Sequence, residues 1–375
     1  HIAGGLGTAC YGMTRGLARN GVDVTFVMPH ASGDEDERFV DIVNASDVET
    51  VFGNVDSDSE DIIEKMSFIH IDSNLVPYLS PEDYETYHDE FVKTGEKRWE
   101  TRDVWSQRYT FSGKYGANLL EEIARYAIVA AQVAKDHAGE FDVIHAHDWL
   151  TYEAGVLAKQ KYHTPLVAHV HATEYDRAGM HIGNPLIHEI EQESLMLADE
   201  IIAVSEATKR IIHDKYHIPL SKISVVYNSL DDNYNTTKYV FNNNIYRYLE
   251  SLKSSGYTIV STVGRFTIQK GLSHLMHAAA MAISQNPQLI FLFAGDGEER
   301  NDLISLAADL CIAKNVIFTG FIRGRKLRDI YSISDIFVMS SISEPFGLTA
   351  LEAAHHGDVL ILTNQSGVSE VIWSA

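Results

Sequence analysis

Glu344 and Glu352 stand eight positions apart in the run Ser343-Glu344-Pro345-Phe346-Gly347-Leu348-Thr349-Ala350-Leu351-Glu352-Ala353. Pro and Gly lie between them and a helix-favouring stretch follows. The apolar run Ile336–Met339 just upstream reads as a buried strand, Ser340–Phe346 as a loop, and Gly347 as the opening of a helix. The free N–H groups and the positive dipole end of such a helix attract phosphate. Glu344 falls in the loop before that start and Glu352 one to two turns inside the helix. The pattern suits recognition of phosphate together with a polyhydroxyl compound. One carboxylate would face a sugar and the other a ribose, with Phe346, Gly347, Leu348 and Thr349 around the phosphate.

A second charged motif, Gly264-Arg265-Phe266-Thr267-Ile268-Gln269-Lys270-Gly271, follows the apolar run Ile259–Val263. Two cations five positions apart on a strand-to-helix turn can hold both phosphates of a departing diphosphate and offset the charge that grows on it. Ala294-Gly295-Asp296-Gly297 is a strand-end turn whose backbone, at Gly295, could meet a base.

Near the start, Gly4-Gly5-Leu6-Gly7 leads into a helix expected from Thr8 to about Asn20. Glycine lets a backbone such as that of Gly5 approach a diphosphate closely. A nicotinamide-binding fold would want an acid at the end of the next strand, where Met28-Pro29-His30 stands.

Val143-Ile144-His145-Ala146-His147-Asp148-Trp149 is a strand running into a loop, and His169-Val170-His171 repeats the alternation. Period two puts both histidines of each pair on one face. Two such pairs could build a zinc site, but no third-ligand motif converges on them. An active-site histidine without metal, His147, is the preferred reading, and the expected metal set is none. The run His169-Val170-His171-Ala172-Thr173-Glu174-Tyr175-Asp176-Arg177 is too polar for a buried strand end and reads as lining the cleft, with His171, Glu174 and Arg177 as acceptor-side candidates.

Strands and amphipathic helices alternate along the 375 residues, which marks parallel α/β sheets in about two domains. The first strand series runs Val24–Met28, Val143–Ala146, Leu166–His171, Ile201–Val204 and Ile223–Tyr227. The second runs Ile259–Val263, Ile290–Ala294, Val316–Phe318, Ile336–Met339 and Val359–Leu362. Asn228–Gly256 separates them, with a helix at Ile245–Lys253, so the expected domains are residues 1–230 and 231–375. Residues 31–116 form an insert, acidic first and then dense in Tyr and Trp. Within it Asp56, Asp58 and Glu60 have the spacing of a calcium loop, but Asp61 replaces the required Gly and Ser67 the terminal Glu.

A net charge of −22 argues against binding nucleic acid and against docking on anionic lipid. No apolar run approaches the roughly 20 residues that span a bilayer. Cys10 and Cys311 form no metal or redox spacing, which suits a cytoplasmic location. The chain opens on the glycines with no strand before them and stops soon after a strand–loop–helix start, so both ends read as cut.

The ordered set His-x-His-Asp-Trp, Gly-Arg-x4-Lys-Gly and Glu-Pro-Phe-Gly-x4-Glu resembles the retaining GT-B glycosyltransferases of family 4, more narrowly their glycogen-synthase-like members. The resemblance runs from the glycines at Gly4 to Ser366-Gly367-Val368-Ser369-Glu370. It implies two doubly wound Rossmann-like domains facing across a cleft, truncated at both ends. The second domain, incomplete here, would hold the nucleotide sugar. It also implies transfer of glucose from UDP-glucose or ADP-glucose to an α-glucan, with configuration retained by front-face displacement and without metal or other cofactor. Arg265 and Lys270 would bind the donor diphosphate, with Gly5 opposite. Glu344 would contact the donor sugar, Glu352 the ribose, and His147 the transferred sugar. Starch-type synthases carry a lysine two residues before the paired glycines. Ile2 stands here, which separates this chain from that branch and from its ADP-glucose preference. The competing expectations are a family 4 enzyme acting on a surface polysaccharide, lipid or small acceptor, a zinc-dependent hydrolase, and a non-catalytic sugar-nucleotide-binding module.

Overall fold

A computed structural model describes residues 4–31, 38, 40–48, 50, 111, 119–230 and 244–372. The insert 31–116 falls largely outside the described residues, as does the middle of the Asn228–Gly256 connection. The chain divides into two compact units, His1–Val226 and Tyr227–Ala375.

In the first unit a four-stranded parallel sheet is made of β3 (Ile144–His147), β4 (Leu166–Val170), β5 (Glu200–Ala203) and β6 (Ile223–Val225), in sequence order. Helices α2 (Leu119–Asp136), α3 (Trp149–Tyr162), α5 (Pro185–Leu197) and α6 (Glu206–Tyr216) accompany it. Its strands carry small and branched apolar residues because both faces of a parallel sheet are covered. Leu166, Ala168, Val170, Ile201 and Ala203 are buried against Trp149, Tyr152 and Leu157 of α3. A separate parallel pair joins β1 (Thr25–Met28) to β2 (Asp41–Asn44), a strand the sequence pattern does not announce. Helix α1 spans Gly4–Arg19, so the glycines at 4, 5 and 7 form its first turn rather than a loop ahead of Thr8. This corrects the expected helix start. First-turn N–H groups lack intrahelical acceptors whatever the residue, so glycine costs less there than in a helix interior.

The second unit holds a five-stranded parallel sheet: β7 (Thr258–Val263), β8 (Leu289–Ala294), β9 (Val316–Gly320), β10 (Ile336–Met339) and β11 (Val359–Leu362). The strand order is β11-β10-β7-β8-β9. From β7 the chain winds outward through β8 and β9, then returns to the other side of β7 for β10 and β11. The order therefore reverses between β7 and β10. At such a switch point neighbouring strand ends send their loops apart and open a crevice. Helices α7 (Asn244–Ser254), α8 (Leu272–Gln285), α9 (Arg300–Asp309), α10 (Arg325–Ile333) and α11 (Leu348–His356) pack around the sheet. Phe291 and Phe293 bury one face of it with Leu275 and Met276 of α8. Ile290 and Leu292 bury the other with Tyr246 and Leu249 of α7.

Candidate active site

The crevice at the switch point contains the charged motifs. Arg265 and Lys270 lie on the turn between β7 and α8, and Glu344 on the loop between β10 and α11. All three line one cleft together with Ser340, Ser341 and Thr349. Lys270 Nζ donates to Glu344 Oε2 at 2.5 Å, and Ser341 Oγ donates to the same oxygen at 3.0 Å. A cation and a carboxylate 74 positions apart in sequence thus share one point in space. Pairing of β7 with β10 makes this possible.

The two loops are also tied by backbone. Ile342 N–H donates to Gln269 C=O at 2.8 Å and Ser340 Oγ to Lys270 C=O at 2.9 Å. Gly271 turns the chain at φ +57 into α8, where a Cβ would stand 2.5 Å from Ser340 O. Glu344 is gripped on its other side: its N–H donates to Gln365 C=O at 2.9 Å, and Gly367 N–H donates to Glu344 C=O at 2.9 Å. The carboxylate is thus fixed by main-chain contacts on both flanks.

The other expected donor-side residues fall around this centre. Gly347 (φ +108) precedes α11, and a Cβ there would meet Met339 Cε at 2.9 Å. Phe346 is buried, with its ring 6.2 Å from Tyr227. Leu348 and Thr349 are half-buried in the first helical turn. Glu352, inside α11, accepts from Tyr331 Oη at 2.7 Å, and burial raises its carboxyl above the usual range against that hydrogen bond. Gly295 N–H donates to Gly320 C=O at 3.2 Å, and a Cβ on Gly295 would lie 1.8 Å from Gly264 O. No rotamer change relieves a clash with backbone. Gly295→Ala is therefore expected to displace the Gly264–Phe266 turn and lower the melting temperature by several degrees, read by calorimetry. An unchanged transition would show that the turn yields freely.

The histidine pairs belong to the first unit. β3 and β4 are in register at His147↔His169, and the alternation brings His145, His147, His169 and His171 into one stack. Ring centroids are 4.4 Å apart for His145–His147 and 4.2 Å for His169–His171. His147 Nδ1 lies 3.0 Å from His171 Nε2. Burial lowers all four rings; neighbouring histidines add to it for His145, His147 and His169, Asp148 opposes it for His171, and His145 falls to about 4. They are neutral near pH 7, so His147 can exchange a hydrogen bond with a sugar hydroxyl but offers no charge.

Asp148 locks this stack. It sits at φ 59 ahead of α3, and its Oδ1 accepts from His171 N–H at 2.7 Å and Ala172 N–H at 3.3 Å. Its own N–H donates to His169 C=O at 3.0 Å. Asp148 is a further residue of this site, and the acid directly after His-x-His is the signal for it in the sequence. Ser341 carried no such signal.

Glu174 and Arg177 correct the acceptor-side expectation. Both are buried, on the short helix α4 (Glu174–Arg177), and neither side chain lines an open surface. Arg177 donates to Glu174 Oε2 at 3.0 Å, to Ala172 C=O at 2.9 Å and to Glu191 Oε1 at 2.5 Å. Tyr216 Oη donates to Glu191 Oε2. Burial pushes the Glu191 carboxyl up to about 7, with Arg177 opposing. The run is polar because it is an internal ionic joint. Glu191, on the face of α5 that carries the apolar Ile187, Ile190 and Leu195, is the clue.

With this geometry in view, two family patterns match complementary parts of the chain. "Glycosyltransferase Family 4" matches residues 86–234 and "Glycosyl transferases group 1" matches residues 249–375. The second range contains the whole switch-point cleft. The chain is 31% identical over 240 residues to an uncharacterized glycosyltransferase of Methanocaldococcus jannaschii, covering 62% of the chain and 60% of the relative. It is 28% identical to the glycogen synthase of Mycobacterium tuberculosis (64% and 56% covered) and 28% identical to a D-inositol 3-phosphate glycosyltransferase of Rhodococcus erythropolis (70% and 61%). It thus spans about three fifths of the length of these relatives. In fold it is similar to a sucrose-phosphate synthase from Thermosynechococcus elongatus, with a TM-score of 0.63 at 19% identity over 99% of this chain and 78% of that one. No helix among the described residues is long and apolar enough to cross a membrane.

Proposed function

We propose that this chain is a glycosyltransferase that moves glucose from a nucleotide sugar, UDP-glucose or ADP-glucose, to an α-glucan with retention of configuration. The observation that carries the reading is the Lys270–Glu344 pair beside Arg265 at the β7/β10 switch point. A diphosphate entering the cleft would meet two cations, and charge growing on it as the sugar leaves is met by groups already in position. In this reading the second carboxylate oxygen of Glu344 meets sugar hydroxyls and Glu352 meets the ribose. His147, neutral because burial lowers its ring, is given a hydrogen bond to a sugar hydroxyl in this reading. The leaving diphosphate can itself take the proton of the attacking hydroxyl on the same face, so the step needs no carboxylate nucleophile. A cytoplasmic setting fits the free Cys10 and Cys311.

The relatives favour one second reading, a small phosphorylated acceptor, because D-inositol 3-phosphate glycosyltransferases are as similar to this chain as the glycogen synthase is. A panel of nucleotide sugars, each with glycogen, with D-inositol 3-phosphate and with no acceptor, separates the two by the nucleoside diphosphate released. Glycogen-dependent release supports the glucan reading. Release only with the inositol phosphate overturns it.

Turnover is expected to persist in EDTA, since side-chain cations stand where many transferases place a metal. Loss on chelation, restored by a divalent cation, would refute a metal-free step. Glu344→Gln is expected to lower kcat more than Glu352→Gln, because sugar contacts strengthen as positive charge develops at the anomeric carbon. Glu352→Gln should act mainly on KM, the mark of binding that is equal in ground and transition states. Equal kcat losses would contradict this division of roles.

A further inference from the structure

Tyr331, on α10, is wholly buried in the second unit, and its hydroxyl donates to Glu352 Oε2 of α11 at 2.7 Å. Packing holds the ring still. It shares one apolar cluster with Phe337, Ala350, Ala353 and Val368, its centroid 6.0 Å from that of Phe337 and 5.4 Å from that of His356. His356 Nδ1 lies 2.8 Å from the Glu352 C=O, one turn along α11. Glu352 Oε1 accepts no hydrogen bond from a described residue. Burial raises the Glu352 carboxyl and the Tyr331 bond opposes that, so the phenol favours the ionised form. A core position needs no hydroxyl, since Phe would bury the same ring without a polar atom to satisfy. What the hydroxyl adds here is a carboxylate fixed at one oxygen.

We infer that Tyr331 is a positioning residue for the donor nucleotide, holding the Glu352 carboxylate so that Oε1 is left to the ribose hydroxyls. This role rests on the ribose contact given to Glu352 above and adds the group that orients it. An untethered glutamate exchanges among several rotamers, and ordering it on binding costs affinity. A carboxylate already held at Oε2 has lost that freedom before the nucleotide arrives. The bond also divides the acceptors, one oxygen engaged by the phenol and the other open to a hydroxyl donor. Tyr331 is rooted in the apolar cluster, whereas Arg265 and Lys270 stand on the β7–α8 turn, so loss of the phenol should spare the diphosphate end. The effect should fall on the nucleoside half of the donor. Because the ribose changes little as the sugar leaves, it should act on KM and not on kcat.

The test is calorimetric binding to the full chain of pyrophosphate and of UDP or ADP, whichever the parent binds more tightly, with steady-state kinetics of the same variants. Tyr331→Phe keeps the ring and removes only the hydroxyl. Its affinity for the nucleotide should fall about tenfold, the scale of one hydrogen bond to a charged group, and KM for the donor should rise to match. Pyrophosphate affinity and kcat should stay within about twofold of the parent. In a Glu352→Ala background the same change should cost nothing more, because a group that acts through another has no effect once that other is gone. Melting curves identify a chain that does not fold, and Tyr331→Met, which fills the space without a hydroxyl, then replaces the Phe variant. Nucleotide affinity unchanged in a folded Tyr331→Phe chain, while Glu352→Ala weakens it, overturns the role of Tyr331 and leaves that of Glu352 standing. A loss shared by pyrophosphate, or one that persists in the Glu352→Ala background, also overturns it, as the mark of a general disturbance of the second unit. Unchanged affinity in Glu352→Ala itself refutes the ribose contact, and the role of Tyr331 falls with it.

Discussion

Lys270→Ala is expected to slow sugar transfer by at least about two orders of magnitude, the scale of losing a preorganised charge at a developing anion. Its ammonium does two things at once. It faces the cleft where a diphosphate would sit, and it holds Glu344 Oε2. Removal leaves the leaving group less neutralised and frees the carboxylate, with Ser341 Oγ as its remaining side-chain partner among the described residues. Arg265→Ala should lose turnover on the same scale. Neither residue belongs to the apolar clusters of the second unit, so the melting transition should barely move. Steady-state kinetics with the best donor, paired with calorimetry, is the measurement. Near-normal turnover in a folded Lys270→Ala chain would remove this residue from the proposed role.

The largest stability effect is expected at Arg177. Its guanidinium is buried between two carboxylates, Glu174 and Glu191, and satisfies Ala172 C=O as well. Arg177→Met would leave two acids without their cation inside the first unit. Breaking one partner out of a buried ionic set costs about 3–5 kcal/mol, and roughly 10 °C of melting temperature for a unit of this size. Arg177→Lys should recover little, because a single ammonium cannot reproduce three bonds from a planar fork. Urea unfolding followed by tyrosine and tryptophan fluorescence reads both variants. A first-unit transition within 1 kcal/mol of the parent in Arg177→Met would mean that protonation of the acids absorbs the loss.

Much of the architecture was legible because parallel strands announce themselves. Leu289–Ala294 is a continuous apolar run, and Thr258–Val263 is dominated by β-branched residues. Asp41–Asn44 was missed because it is four residues long, half polar, and follows an acidic stretch. The charged residues of the cleft were legible as motifs, whereas their meeting was not. Lys270 reaches Glu344 only because β10 pairs with β7 rather than with β9, and strand order is not written in any local pattern. The reverse error befell Glu174 and Arg177. Polar residues after a strand read as open surface, yet a partner at Glu191, 14 positions after Arg177, turns the same polarity inward.

The stitching of the β7–α8 turn to the β10–α11 loop has a consequence for how substrate preference could change. Gln269 and Lys270 carbonyls accept from Ile342 and Ser340, so the Lys270 ammonium and the Glu344 carboxylate ride on one piece of scaffold. Neither can drift toward a new ligand without dragging the other. A different sugar is therefore accommodated by exchanging side chains on a fixed frame, not by reshaping the frame. Mutational drift at Ser341 or Thr349 can retune the pocket, while the spacing between charge and countercharge stays constant.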